Sequence, residues 1–168
     1  MNYKVLTYED YDDILDISKN IWEGKDYIPK IFHKWVDAKE GCFLGLEKDN
    51  KIVAFGKYTV LPDRQGWIEG LRVHIEYRGQ QLAHAIIDTL FNIAREDLRN
   101  GKTTNIVICT QKDTKASIKM FKAKNFKFIQ GCLVCFKSYE SIKGLDIKID
   151  DFNIESWNIS YEDFKNLD

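Results

Sequence analysis

The sequence predicts an α/β fold: a mixed, mainly antiparallel central sheet flanked by helices. Segments 42–47, 52–61 and 66–73 are apolar-rich and strand-like, and short turns join them into a meander. The period then changes, with Leu82, Ala85, Ile86, Leu90, Ile93, Ala94 and Leu98 recurring at helical spacing. A short, wholly apolar run follows, Ile106, Val107, Ile108 and Cys109, as expected of a strand buried on both faces beside a parallel neighbour. A strand, a helix and a parallel strand make a right-handed βαβ unit.

Taken in order, the alternation around Val5 reads as a first strand, and Asp10 is placed to cap a helix through Ile14, Leu15, Ile17 and Ile21, expected to share one face. Gly24 is expected to end that helix. Tyr27, Ile28 and Pro29 open a second, because proline suits a first turn where its missing N–H costs nothing; Ile31, Phe32 and Trp35 form its apolar side. Residues 48–51 and 62–65 supply the two hairpin turns, and Asn100 with Gly101 stops the long helix. A further helix is expected over 115–124, then an apolar segment through Phe126, Phe128 and Ile129 to Phe136 that Gly131 is placed to bulge or turn. After Ser138, residues 145–149 alternate like an edge strand and 161–167 suit a short helix. Residues 1–138 are therefore expected to form the domain, with a tail of 139–168 packing on it.

Composition narrows the function. At 168 residues and 44% hydrophobic, the chain can bury one substantial core but not two ordinary ones. The 25 basic and 26 acidic residues nearly cancel, and no basic run is dense enough to track a phosphate backbone, so nucleic acid is not expected as a partner. The N-terminal residues lack the apolar stretch of a signal peptide, and no run is long enough to span a bilayer. Cys42, Cys109, Cys132 and Cys135 are accordingly expected to be reduced, in a cytoplasmic protein, as small hydrophobes. His33, His74 and His84 lack metal-ligand spacing, so no metal is expected; each reads as a surface or capping histidine.

Chemistry concentrates between residues 67 and 83, a strand, a connection and a helix start. A loop entering a helix N-terminus presents unpaired N–H groups and the positive end of the helix dipole, which suits a pyrophosphate. Arg78 adds a charge-assisted donor, and Gly79 lets backbone approach a phosphate. Glu69 sits two residues before Leu71, so strict alternation places its side chain on the same sheet face as Leu71 and Val73. A carboxylate in a partly apolar cleft has a raised pKa suited to a general base; the alternative is a structural carboxylate paired with Arg72 or a lysine.

The order of elements, the segment Leu71, Arg72, Val73, the loop Arg78, Gly79, Gln80, Gln81, Leu82, Ala83 and the later Lys124, Asn125, Phe126 resemble the Gcn5-related N-acetyltransferase (GNAT) superfamily. Residues 27–35 and 69–73 are similar to its histidine N-acetyltransferase-like members. The family pattern is R/Q-x-x-G-x-G/A; Arg78 and Ala83 match its ends, and Gln81 stands where the middle glycine is usual. The resemblance implies a cytoplasmic N-acetyltransferase that moves the acetyl group of acetyl-CoA, its co-substrate, directly to the primary amine of a small molecule such as a free amino acid. It places acyl-CoA in the splay between central strands, along the backbone of Leu71, Arg72 and Val73, with its pyrophosphate on residues 78–83. Glu69 would be the base, and Glu69 and Tyr27 would meet the acceptor. Phe121 stands in the cofactor site where the family commonly has a tyrosine acid; Tyr58 and Tyr77 are other phenols in reach of consideration. Protein N-terminal or lysine acetylation, a non-catalytic acyl-CoA-binding regulatory module and a structural subunit remain alternatives, and a homodimer is one assembly left open.

Overall fold

A computed structural model of the chain describes residues 2–110 and 114–127. Its elements run β1 (Asn2–Val5), α1 (Tyr11–Ser18), α2 (Ile28–Val36), β2 (Cys42–Lys48), β3 (Lys51–Val60), β4 (Gln65–Val73), α3 (Leu82–Arg99), β5 (Asn105–Ile108) and α4 (Lys115–Ala123), with 3-10 turns at Tyr8–Asp10, Trp22–Gly24 and Ile75–Tyr77. The chain divides into compact units at Met120 and Phe121. The expected elements beyond residue 127, the boundary at 138, and Cys132 and Cys135 lie outside the described residues.

The sheet order is β1-β2-β3-β4-β5. Neighbours are antiparallel except β4 and β5, which run parallel from Gln65 opposite Asn105 to Ile68 opposite Ile108. This is the expected mixed α/β sheet. The left-handed residues Asp49 and Asn50 close the β2–β3 hairpin, as a tight turn between twisted strands requires.

Two apolar layers cover the sheet. Ile14 and Ile17 of α1, and Ile28, Phe32 and Trp35 of α2, pack with Phe43 and Phe55 on one face. Pro29 lies in the first turn of α2, as its missing N–H allows. On the other face α3 buries Leu82, Ile86, Ile87, Leu90 and Ala94. It comes so close that a Cβ at Gly56 would lie 2.9 Å from both Ile86 and Leu90. A side chain there would force sheet and helix apart.

Two expectations need correction. Helix α1 ends at Ser18, so Ile21 lies outside it, and Leu15 is 40% exposed. Leu15 is one residue, about 100° around the helix, from the buried Ile14, too far to join its face. The run 106–109 is not buried on both faces: the strand stops at Ile108, Ile106, Val107 and Ile108 are half-buried, and Cys109 is exposed. Among the described residues β5 has β4 alone as a strand neighbour, which leaves its other side without that cover.

Candidate functional site

The site begins with a defect in β4. Phe55 pairs with Arg72 and Lys57 with Glu69, so three residues of β4 span two of β3, and the extra residue is a bulge. Gly70 absorbs it at φ +66°, where a Cβ would also lie 2.5 Å from the Trp35 ring. Glycine is required there on both counts.

The bulge overturns the alternation argument for Glu69. Cross-strand partners share a face, so Glu69 and Arg72 project with Lys57 and Phe55 toward α1 and α2. Leu71 lies on the α3 side, its methyl 3.9 Å from the Cβ position of Gly56, and Val73 alternates with Arg72 onto that same side. Glu69 is therefore on the opposite face from Leu71 and Val73, because the extra residue resets the alternation between them.

Burial holds the Glu69 carboxyl above its ordinary range; a hydrogen bond with Trp67 and the charge of Lys57 draw it part of the way back. Lys57 is 1% exposed, and burial depresses its ammonium pKa. Its Nζ donates to the Tyr58 carbonyl at 3.1 Å. The alternative of a Glu69–Arg72 pair is not what forms, because Arg72 is taken by Asp26: Nε and one terminal nitrogen donate to the two carboxylate oxygens at 3.0 and 2.9 Å.

Above that pair the turn from α1 to α2 folds back. Trp22 and Glu23 take left-handed φ values of 47° and 58°, a conformation that disfavours side chains and lets the chain reverse sharply. The Trp22 ring covers the Arg72 guanidinium at 4.8 Å and stacks on Tyr27, whose ring centroid lies 6.3 Å away. Tyr27 meets Trp35 edge-on. Its hydroxyl is held above its ordinary pKa first by burial, with Glu69, Asp26 and Cys109 adding to the rise and Arg72 opposing it. Tyr27, Glu69 and Arg72 thus come together on one side of the sheet.

The second half of the site lies along the β5 side of β4. Strand pairing stops at Ile68 and Ile108 while β4 runs on to Val73, so the segment 69–73 has no strand partner on that side among the described residues. The Leu71 and Val73 carbonyls accept from the Arg72 and Arg78 side chains at 3.1 and 3.4 Å; backbone without a strand neighbour can exchange such contacts for an extended, amide-bearing ligand. Beyond it, His74 caps the Ile75–Tyr77 turn by accepting the Glu76 N–H at Nδ1, and its Nε2 lies 3.0 Å from Asp16 on α1.

The chain then enters α3 through Arg78, Gly79, Gln80 and Gln81, all exposed. Gly79 has φ +79° and a Cβ there would meet nothing within 4 Å, so the space in front of the turn is open. The Ala85 N–H bonds the Gln81 carbonyl at 3.1 Å, which leaves Leu82, Ala83 and His84 as the N–H groups without a backbone acceptor. Gln81 is left-handed, at φ 60°, and its side chain makes no capping hydrogen bond. Open space, free N–H groups and the helix dipole fit a diphosphate.

Of the phenols, Tyr58 is fully buried and donates to Asp97 of α3 at 3.0 Å, which commits its proton to the core. The Tyr77 ring lies 5.5 Å from that of His74, with Lys48 over it. Phe121 belongs to the second compact unit, where its ring packs 6.0 Å from Phe126. Sequence reasoning missed Asp26, Lys57 and Trp22. Lys57 alone left a signal, a charged residue inside the otherwise apolar run of β3.

A mainly antiparallel sheet whose parallel pair opens beside the N-terminus of a long helix defines the acetyltransferase class of fold. The chain belongs to the acetyltransferase (GNAT) family, whose profile matches residues 8–128. A histidine N-acetyltransferase of Oreochromis niloticus is 24% identical over 95% of this chain and 46% of its own length. The chain spans less than half the length of the curated relatives named histidine N-acetyltransferase that it matches most fully. Among solved structures, the ribosomal-protein-S18-alanine N-acetyltransferase of Escherichia coli superposes with a TM-score of 0.65 at 16% identity, covering 77% of this chain and 79% of the other. The aminoglycoside 6′-N-acetyltransferase of Acinetobacter haemolyticus superposes with a TM-score of 0.62 at 17% identity, covering 82% and 99%. At these identities the structures speak for the fold alone.

Proposed function

We propose that this chain transfers the acetyl group of acetyl-CoA directly to the primary amine of a small molecule such as a free amino acid, with Glu69 as the general base. The observation that carries this reading is the position of Glu69, a half-buried carboxylate with a raised pKa, at the point where β4 parts from β5 and within the same unit as an open helix N-terminus. Acetyl-CoA would lay its pantetheine arm along Leu71, Arg72 and Val73 and its diphosphate against the turn at Arg78, Gly79, Gln80, Gln81, Leu82 and Ala83. The amine would enter from the α1/α2 side, past Tyr27.

In the reaction a neutral amine attacks the thioester carbonyl. A C–N bond forms, the C–S bond breaks, and the proton lost by nitrogen passes to Glu69 directly or through water. The leaving thiolate belongs to an ordinary thiol of pKa about 8.5, and a proton from solvent suffices for it. Phe121 has no proton to give. No helix among the described residues is long and apolar enough to cross a membrane. We propose a cytoplasmic location, where a thiol such as that of Cys42 stays reduced.

The test is a panel of free amino acids and polyamines incubated with acetyl-CoA, read by mass spectrometry for the acetylated amine and by release of free thiol. Glu69→Gln is expected to lower kcat/KM for the productive acceptor by roughly 10²–10⁴-fold. Full rate in that variant across the pH range overturns the base. The left-handed Gln81 and Phe121 favour a second reading, a non-catalytic acyl-CoA-binding module. Tight acetyl-CoA binding without amine-dependent thiol release would decide for it.

A further inference from the structure

The buried Lys57 has no part in the reaction as written. Lysine is seldom fully buried, since taking its ammonium from water is costly unless a partner compensates. Here it projects from β3 toward the α1/α2 side, directly across the strand pair from Glu69, where opposed side chains start about 5 Å apart. One N–H is used on the Tyr58 carbonyl, and two remain. An apolar residue would fill this position with less penalty, and every neighbour along β3 from Ile52 to Phe55 is apolar and buried. The charge is therefore placed against the local preference of the strand, next to the bulge that sets the direction of Glu69.

We propose that Lys57 is a positioning residue for catalysis: its ammonium, opposed to Glu69 across β3 and β4, keeps that carboxylate ionised and oriented to take the amine proton. The inference rests on Glu69 being the base. Without a cation beneath it, a carboxylate in this setting stays protonated further into the working pH range and is lost as a base there. Among the described residues the other titratable groups that act on the pair are Cys42 of β2, whose thiol burial pushes up and Lys57 draws down, and Tyr27 from the start of α2, itself within reach of Arg72, Asp26 and Cys109. Arg72 is neutralised by Asp26, so among the described residues Lys57 is the cation that acts on Glu69.

The experiment compares wild type with Lys57→Met, Lys57→Gln and Lys57→Arg. Gln keeps a donor for the Tyr58 carbonyl without the charge, so one charge-removing variant remains should Met fail to fold. Two readouts are taken: the titration midpoint of the Glu69 carboxyl by carbon NMR, and the acid limb of kcat/KM. Removal of the charge is expected to move both midpoint and limb to higher pH by about one unit, with Arg restoring them toward wild type. An unmoved midpoint overturns the inference, and so does a midpoint that moves while the limb stays. Failure of the underlying reading is seen separately, as full activity in Glu69→Gln.

Discussion

Gln81 shows how one residue can serve a backbone position its side chain resists. It enters α3 at φ 60°, in the left-handed region that costs a non-glycine residue roughly 1–2 kcal/mol. The cost is not recovered by a cap, since its side chain bonds no N–H of the first turn. Gln81→Gly is therefore expected to stabilise the protein by about 1 kcal/mol, the strain relieved less the greater freedom of glycine in the unfolded chain, as checked by urea denaturation. The same variant tests the proposed cofactor site. Tighter acetyl-CoA binding by calorimetry would mean that the glutamine crowds the diphosphate, and equal affinity that it turns outward.

Elements are tied across the site by Asp26 and Arg72. The Asp26 carboxylate is 1% exposed and the Arg72 side chain 13%, so this pair is not the screened surface kind. It fixes the strained connection between α1 and α2 to β4 just beyond the bulge. Arg72→Met alone is expected to cost roughly 3–5 kcal/mol, because it abandons a buried carboxylate; adding Asp26→Leu should recover most of that loss. Thermal and urea unfolding of the two singles and the double measure this directly. Coupling near zero in the cycle would mean that Asp26 is held by the fold without Arg72.

Across the whole molecule the sheet is bound to α3 by the Tyr58 hydroxyl. Burial, then the hydrogen bond to Asp97, push its pKa from the ordinary 10.0 up to about 12. The folded state therefore retains a proton that the unfolded chain has released, and stability from this group is complete below pH 10.0 and declines as pH rises toward about 12. Tyr58→Phe is expected to lower stability at neutral pH and to flatten the loss between these limits. Wild type and variant losing stability in parallel over that window would show that Tyr58 ionises as freely folded as unfolded.

The sheet, its meander and the parallel pairing of β4 with β5 were legible in the sequence because strand and helix periods report which side of an element is apolar, and a buried face dictates that pattern locally. The turn at Arg78, Gly79, Gln80, Gln81, Leu82 and Ala83 was legible too, as a loop running into a long helix. What only the tertiary structure decided was orientation. The bulge at Gly70 reverses the side on which Glu69 stands, Asp26 claims Arg72 from 46 residues away, and Lys57 meets Glu69 across a strand pair. Period reading assumes that alternation is unbroken, and side-chain partners distant in sequence leave no periodic trace. The sequence by itself therefore determined the architecture and the helix-entry turn, while the geometry of the carboxylate and its neighbours awaited the register of β3 on β4.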